Sequence, residues 1–168
     1  VTVLEFLDRI LATMDREISQ SLKMQLKKQG GELCTGAQVE SIACREDGSL
    51  VCRYIQKGET KEAVSQGVLI ATGRRANIRG LFALPSSGMS DEEAAERLGI
   101  RLDRGRIAVD ENGRTSLPGV YGAGDVTGGV QLAHAASAQA INAVENMWGE
   151  PPVFDTSLIP GCVYTEPE

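Results

Sequence analysis

The spacing of hydrophobic and polar residues changes several times along the chain, and each change predicts a different secondary-structure element. Residues 1–5 are mainly apolar and β-branched, which is typical of a buried strand. Apolar side chains then recur at every fourth position, as they do along one face of an amphipathic helix. This pattern predicts a helix from about Asp15 to Gln29, and Gly30 lies where a helix commonly ends.

Residues 32–66 follow the two-residue alternation of β-strands. Two turn signals, Asp47-Gly48 and Lys57-Gly58, interrupt this stretch, and together they predict an antiparallel meander of three strands. Residues 68–71 are apolar throughout, which favours a central strand of a parallel sheet because such a strand is buried on both faces.

The second half of the chain is richer in turns and predicts shorter elements. A capping box at Ser90 and Glu93 predicts a short helix. Residues 107–109 and 120–121 predict two short strands. A run of small residues from about Ala133 to Met147 predicts a longer helix. The chain as a whole therefore predicts an α/β fold with an antiparallel meander.

Composition narrows the possible classes of partner. With 168 residues, the chain is long enough for one domain or two small ones. Its formal net charge of −6 argues against nucleic acid or an anionic membrane surface as a partner. No run approaches the ~18 apolar residues of a membrane span.

The four cysteines, at positions 34, 44, 52 and 162, predict neither a metal site nor a redox pair. None forms a C-x-x-C pair, and a single histidine leaves no zinc pattern. Cys44 and Cys52 flank the predicted hairpin turn. They are compatible with a disulfide, although ordinary half-buried thiols are favoured.

Two segments have residues that could bind a dinucleotide, and each also has a simpler structural explanation. Glu5 ends the first strand, where a carboxylate can accept hydrogen bonds from an adenosine ribose and repel a 2′-phosphate, so that NAD is favoured over NADP. A solvated strand end is the alternative for Glu5. Residues 71–74 follow an apolar run and include Gly73, which allows a ligand to approach the backbone closely; a plain turn with a surface arginine is equally compatible.

A glycine turn before the last helix carries the most distinctive chemistry. Asp125 emerges beside Gly122 and Gly124, where its carboxylate can accept from sugar or polyol hydroxyls. This glycine pair is weak evidence for a pyrophosphate loop, because Thr127 stands where a third glycine belongs. His134 has no nucleophile or metal-ligand partner near it in sequence, but the backbone N–H groups of 132–134 open a helix and can face an electron-rich ring.

Five segments, taken in order, resemble the flavin-dependent pyridine nucleotide–disulfide oxidoreductases, and within that family the dihydrolipoamide dehydrogenases. The resemblance implies an α/β fold of the FAD/NAD(P)-binding type, in three layers, with a parallel sheet plus an antiparallel meander, incomplete at both ends. The segments are residues 1–10, 70–77, 115–126, 132–139 and 163–168.

The resemblance also implies how the chain divides. Residues 1–73 would form the C-terminal part of an NAD-binding domain, 74–149 the C-terminal part of an FAD-binding domain, and 150–168 a linker and the start of an interface domain. Two GxGxxG motifs and a redox-active C-x-x-x-x-C pair would precede this region, and a catalytic His–Glu pair would follow it. We therefore expect an internal fragment that is inactive by itself, with no catalytic residue and no metal.

The family pattern assigns cofactor roles to particular positions. Glu5 would bind the NAD ribose and Val39 would contact the adenine. The nicotinamide side of the NAD site would be lined by Ala71, Thr72, Gly73 and Arg74. Asp125 would bind the ribityl chain of FAD, and the helix N-terminus would face the flavin pyrimidine through Gln131, Leu132, Ala133 and His134.

The activity implied by the resemblance is transfer of electrons from dihydrolipoamide, through a protein disulfide and FAD, to NAD. The parent would be a cytoplasmic homodimer that serves a 2-oxo acid dehydrogenase complex. Two alternatives stay open at this point. One is another flavoprotein disulfide reductase, such as a mercuric or glutathione reductase, although Glu5 argues against those that use NADP. The other is a non-catalytic dinucleotide-binding module.

Overall fold

The computed structural model describes residues 1–83 and 88–165, in two compact units. The first unit comprises Val1–Ala71 together with Tyr164 and Thr165, and the second comprises Thr72–Val163. Residues 166–168, the end of the last family-like segment, lie outside the described residues. The assignment of these parts to NAD-binding, FAD-binding and interface domains stays a prediction.

The first unit begins with a parallel strand pair joined by a helix. Strand β1 (Thr2–Glu5) runs parallel to β2 (Glu32–Thr35), and α1 (Arg16–Lys28) connects them. The Asp15 side chain accepts a hydrogen bond from Glu17 N–H (2.8 Å) and so caps the helix. The predicted strand and helix are therefore confirmed, but the strand is exposed to half-buried and not buried as predicted, because it belongs to a sheet of only two strands.

An antiparallel meander completes the first unit and confirms the second sequence prediction. Its strands are β3 (Ala37–Cys44), β4 (Leu50–Gln56) and β5 (Glu59–Ser65), in the order β3-β4-β5. The buried residues Cys34, Ala37 and Tyr54 form the core that joins this meander to the parallel pair.

The strand predicted at residues 68–71 is absent from the structure, so this prediction is wrong. These residues follow β5 as irregular backbone, and Leu69 and Ile70 are 90 % and 70 % exposed. The physical reason is the lack of a partner: β1 and β2 form a two-stranded sheet, and no described strand runs beside 68–71. An apolar run becomes a strand only when a neighbouring backbone completes its hydrogen bonds.

The second unit is built on short elements around a small core. Helix α2 (Asp91–Arg97) has the predicted capping box. Strands β6 (Leu102–Asp103) and β7 (Arg106–Ile107) form a short antiparallel pair. Their core consists of buried residues that come from separate parts of the unit: Ile78, Ala95, Ile100 and Ile107.

The remaining predictions for the second unit are borne out unevenly. Helix α3 (Ala133–Met147) has the predicted bounds. The strand predicted at 107–109 overlaps β7 only at Ile107, and the strand predicted at 120–121 is reduced to a single bridge between Arg114 and Tyr121. Beyond these residues, the described backbone bonds are isolated ones: Ala108 N–H donates to the Arg101 carbonyl (3.0 Å), and Thr115 N–H donates to the Val120 carbonyl (3.0 Å).

The cysteines form no disulfide, so the structure favours the interpretation of Cys44 and Cys52 as ordinary thiols. All four cysteines are free thiols, with Cys34 and Cys52 buried and Cys44 and Cys162 exposed. Among the described residues, no group of three or more His, Cys, Asp or Glu side chains is arranged to hold a metal ion. None of the described helices has the length and apolar character needed to cross a membrane.

Candidate functional site

The turn that carries Asp125 is built on two glycines that lie close to neighbouring atoms. A Cβ on Gly122 would lie 2.9 Å from Thr127 Cγ2 and 3.1 Å from Val109 Cγ1. Gly124 is buried and has a φ of +78°, and a Cβ there would lie 3.1 Å from the Cβ of Ala136 on α3. Glycine at 124 therefore lets a 3₁₀ turn, Gly124–Thr127, pack against α3, and glycine at 122 leaves room for the side chains of Thr127 and Val109.

Arg74 and Asp125, both predicted as cofactor-binding residues, form an ion pair in the second unit. The Nε and Nη2 atoms of Arg74 both donate to Asp125 Oδ2, the Nε at 3.1 Å. Of the residues that the structure describes, none donates to Oδ1. Since the arginine side chain is 67 % exposed, water screens the pair and limits its stabilising effect to about 0–1 kcal/mol. The pairing orients the carboxylate and leaves one oxygen for a further donor.

The N-terminus of α3 lies beyond this turn and has no side-chain cap among the described residues. Its N-cap, Leu132, is extended (φ −127°), and the first helical hydrogen bond runs from Ala136 N–H to the Leu132 carbonyl (3.0 Å). The N–H groups of 133–135 therefore lie at the open end of the helix, where the helix dipole places partial positive charge. This end can accept a group that carries negative charge.

His134 is turned towards the C-terminal segment of the second unit. Its Nε2 lies 2.9 Å from the carbonyl oxygen of Pro160, and because a carbonyl can only accept, Nε2 is the protonated nitrogen. An apolar groove of about 520 Å³ lies along the same helix face, between α3 and residues 154–160. Neither Arg74 nor Asp125 lines this groove.

The predicted NAD contacts of the first unit lie near the end of β1. Glu5 closes the strand, and its Oε1 accepts a hydrogen bond from Leu7 N–H (2.8 Å). The N–H of Gly36 donates to the Leu7 carbonyl (2.8 Å), which ties the loop after β1 to the β2–β3 connection. Val39, 46 % exposed, lies near the start of β3, at an irregularity in its pairing with β4.

Residues 71–74 are exposed and span the point along the chain where the first unit ends and the second begins. Ala71 belongs to the first unit, and Thr72, Gly73 and Arg74 belong to the second. Gly73 has a φ of +105°, and a Cβ there would have no neighbour within 4 Å. Glycine is thus required at this position by backbone conformation and not by a close approach within the chain.

Comparison with known proteins places this geometry in a family. Residues 1–140 match the family described as Pyridine nucleotide-disulphide oxidoreductase. The chain belongs to this family. This confirms the resemblance found in the sequence, and with it the expected FAD/NAD(P)-binding type of α/β fold.

Relatives in two bacteria are similar along the whole chain. The dihydrolipoyl dehydrogenase of Bacillus subtilis (strain 168) is 38 % identical over 170 residues, which is 100 % of this chain and 33 % of the relative. That of Geobacillus stearothermophilus is 37 % identical over 169 residues, with the same coverage. The chain thus spans about a third of the length of the curated relatives it matches.

Solved structures of the family show the same fold. LpdA from Mycobacterium tuberculosis matches with a TM-score of 0.69 and 29 % identity, over 92 % of this chain and 31 % of that one. The HOCl-induced flavoprotein disulfide reductase RclA from Escherichia coli matches with a TM-score of 0.65 and 26 % identity, over 94 % and 32 %. Both similarities again cover about a third of the larger protein.

Two amide side chains of α3 escaped the sequence prediction, although each ties the helix to another segment of the second unit. Gln139 accepts a hydrogen bond from Gly124 N–H (2.7 Å). Asn142 is buried; its amide donates to the Phe154 carbonyl (2.7 Å) and accepts from Phe154 N–H (2.9 Å) and from one further backbone N–H. A sequence signal existed, because both lie on the face of α3 that the buried Ala135 and Ala143 define.

Asp91 and Tyr54 are two of the described groups with shifted pKa values, and both lie away from the candidate cofactor-binding residues. In the second unit, the pKa of Asp91 is lowered because its carboxylate accepts hydrogen bonds from the N–H groups of Phe82 (2.9 Å), Ala83 (3.0 Å) and Gly80 (2.8 Å). In the first unit, the hydrogen-bonded Cys34 thiol and burial raise the pKa of Tyr54. Asp91 thus stabilises a loop and Tyr54 belongs to the core, and neither belongs to the candidate site.

Proposed function

We propose that this chain supplies part of the nucleotide-binding region of a longer flavoenzyme, a dihydrolipoamide dehydrogenase. The enzyme would pass electrons from dihydrolipoamide, through a protein disulfide and FAD, to NAD. Support comes from family membership and from relatives, 37–38 % identical, that carry the name dihydrolipoyl dehydrogenase. The observation that carries the proposal is the oriented Asp125 carboxylate on a turn that packs against the uncapped helix α3.

The second unit has groups of the right chemistry for FAD. Asp125 Oδ1 is available to accept from a ribityl hydroxyl, while Arg74 occupies Oδ2. The open N-terminus of α3, at residues 131–134, would face the flavin pyrimidine. When bound, FAD supplies the electron transfer. The protein orients the cofactor, and the positive end of the helix stabilises negative charge on it.

The first unit has groups suited to NAD, and we assign them by the same family pattern. Glu5 would accept from the adenosine ribose through the carboxylate oxygen that is not bound to Leu7 N–H. Val39, half exposed at the start of β3, would contact the adenine. The exposed residues 71–74 would lie on the nicotinamide side, with Arg74 also holding the flavin-binding carboxylate. We further propose a homodimer that serves a 2-oxo acid dehydrogenase complex in the cytoplasm, on the family pattern alone.

The decisive experiment replaces Asp125 by alanine in the full-length protein that carries this chain. A charge-assisted hydrogen bond to a ribityl hydroxyl contributes about 1.5–3 kcal/mol, so Asp125→Ala should weaken FAD binding about ten- to a hundredfold. FAD affinity is measured by fluorescence titration of the apoprotein, whose melting temperature is measured in parallel.

Asp103→Ala is the matched control. Asp103 pairs with Arg106 (2.8 Å) in the same unit and makes no described hydrogen bond to residues 124–127, so this variant removes a similar ion pair and leaves the contacts of Asp125 in place. Arg106 packs against Gly128, so the melting temperature of the control is measured as well. The control should leave FAD affinity unchanged. A large drop in the melting temperature of Asp125→Ala, with FAD affinity unchanged, would show that Asp125 serves only to stabilise the turn.

A further inference from the structure

Gly124, the residue before Asp125, is held by α3 at two points. Its backbone N–H donates to Gln139 Oε1 at 2.7 Å. Its α-carbon faces Ala136, since a Cβ on Gly124 would lie 3.1 Å from the Ala136 Cβ. Ala136 and Gln139 are three residues apart, so they lie on the same face of the helix. The helix thus contacts Gly124 by packing and by a hydrogen bond.

The hydrogen bond satisfies a group that has no other described acceptor. Gly124 is buried, and a buried backbone N–H without a partner is costly. The Gln139 amide is anchored to a regular helix of 15 residues, so its oxygen is a fixed point. The turn Gly124–Thr127 is therefore fixed relative to the same helix whose N-terminus lies two turns earlier.

We infer that Gln139 is a positioning residue for the cofactor: its amide oxygen sets where the Asp125 carboxylate lies relative to the N-terminus of α3. This inference rests on the proposed function, in which these two groups contact different parts of one FAD. The isoalloxazine ring and the ribityl chain are covalently joined, so one FAD makes both contacts without strain only when the carboxylate and the helix end are spaced to match them. Gln139 would therefore act on FAD affinity through Asp125, without touching FAD.

The experiment compares variants of Gln139 in the full-length protein. Gln139→Leu keeps the approximate size and removes the acceptor, and it should weaken FAD binding about tenfold and change the circular dichroism of the bound flavin. Gln139→Glu retains an acceptor in the same place and should restore both properties. If Gln139→Leu does not fold, Gln139→Asn withdraws the oxygen by one methylene and should show the same loss.

Asn146→Leu is the matched control on the same helix. Asn146 Oδ1 accepts from Arg114 Nε (2.7 Å), so this variant also removes an amide acceptor of α3, but from a different loop. It should leave FAD affinity and the flavin spectrum unchanged. Equal losses of affinity in Asn146→Leu and Gln139→Leu would show that general loosening of the helix is responsible, which would overturn the inference.

The double variant Gln139→Leu/Asp125→Ala separates this inference from the proposed function. If Gln139 acts through Asp125, adding Gln139→Leu to Asp125→Ala should change FAD affinity by less than about twofold. Fully additive losses would overturn the positioning role and leave the flavin site in place. If Asp125→Ala by itself leaves FAD affinity unchanged, it is the proposed function that fails.

Discussion

At the scale of single residues, Glu5 has two possible partners. Its Oε1 accepts a hydrogen bond from Leu7 N–H in this structure. On the family pattern, we propose that its carboxylate also accepts a hydrogen bond from the NAD ribose. We predict that Glu5→Ala in the full-length enzyme raises the KM for NADH about tenfold, because a charged hydrogen bond far from the reacting carbon is lost. The half-reaction between dihydrolipoamide and flavin should change little.

Glu5→Gln and Glu5→Arg separate the two roles of Glu5. Glu5→Gln keeps an acceptor for Leu7 N–H and for the ribose but loses the charge that repels a 2′-phosphate, so it should narrow the preference for NADH over NADPH. Glu5→Arg should shift the preference towards NADPH. Steady-state kinetics with both cofactors gives the ratio. Equal weakening of NADH and NADPH by Glu5→Ala would contradict a selective role.

Asp91 makes the stability of the second unit depend on pH. Its folded-state pKa is lowered by the N–H groups of Phe82, Ala83 and Gly80, so it is below the value in the unfolded chain. The ionised carboxylate therefore stabilises the fold above the unfolded pKa of about 3.9, and this contribution is lost as pH falls through the lower folded pKa.

We predict that Asp91→Asn lowers the melting temperature at pH 7 and that the difference from the unmodified protein shrinks as the pH falls below about 4. Thermal unfolding over a series of pH values measures this difference. Glu92→Gln is the control, because it removes the neighbouring carboxylate of α2 without removing a described backbone hydrogen bond. A difference that stays constant down to acid pH would contradict the lowered pKa.

At the scale of elements, α3 organises the second unit through its amide side chains. Gln139 holds the Asp125 turn, Asn146 accepts from Arg114, and Asn142 holds the segment after the helix. The helix is rich in alanine, so its neighbours pack close to its backbone. Specific contacts therefore come from a few longer polar residues on its buried face.

Asn142 makes three hydrogen bonds to the backbone of Val153 and Phe154. We predict that Asn142→Leu lowers the free energy of unfolding by about 1–3 kcal/mol, because these backbone groups lose their partner and a buried site must repack. Urea unfolding of the full-length protein measures the change. Asn146→Leu removes a single contact to an exposed arginine, so it should lower the free energy of unfolding by less. A larger decrease for Asn146→Leu than for Asn142→Leu would contradict the stabilising role of Asn142.

At the scale of the whole molecule, the chain spans about a third of its curated relatives and divides into two compact units. We predict that the 168-residue chain by itself shows no turnover of dihydrolipoamide with NAD, even with added FAD. None of its four cysteines is spaced as the C-x-x-x-x-C pair of the family. Turnover above that of free flavin, measured by NADH absorbance, would contradict the prediction.

Much of the architecture is determined by the sequence by itself, because the relevant forces are local. The four-residue spacing and Gly30 predict α1, the Asp-Gly turn predicts the meander, and small residues predict α3. Five short segments in a fixed order also identified the family, because their glycine turns and strand-end carboxylates are contiguous in sequence.

Only the tertiary structure decided which distant groups meet. Arg74 and Asp125 are 51 residues apart, and Gly124 and Gln139 are 15 apart, so no local pattern joins them. Residues 68–71 show the opposite failure. Their apolar pattern predicts a strand, but no described strand lies beside them to pair with. The periodicity of a segment indicates which secondary structure it favours. Its hydrogen bonds and ion pairs depend on which other segment the fold brings within about 3 Å.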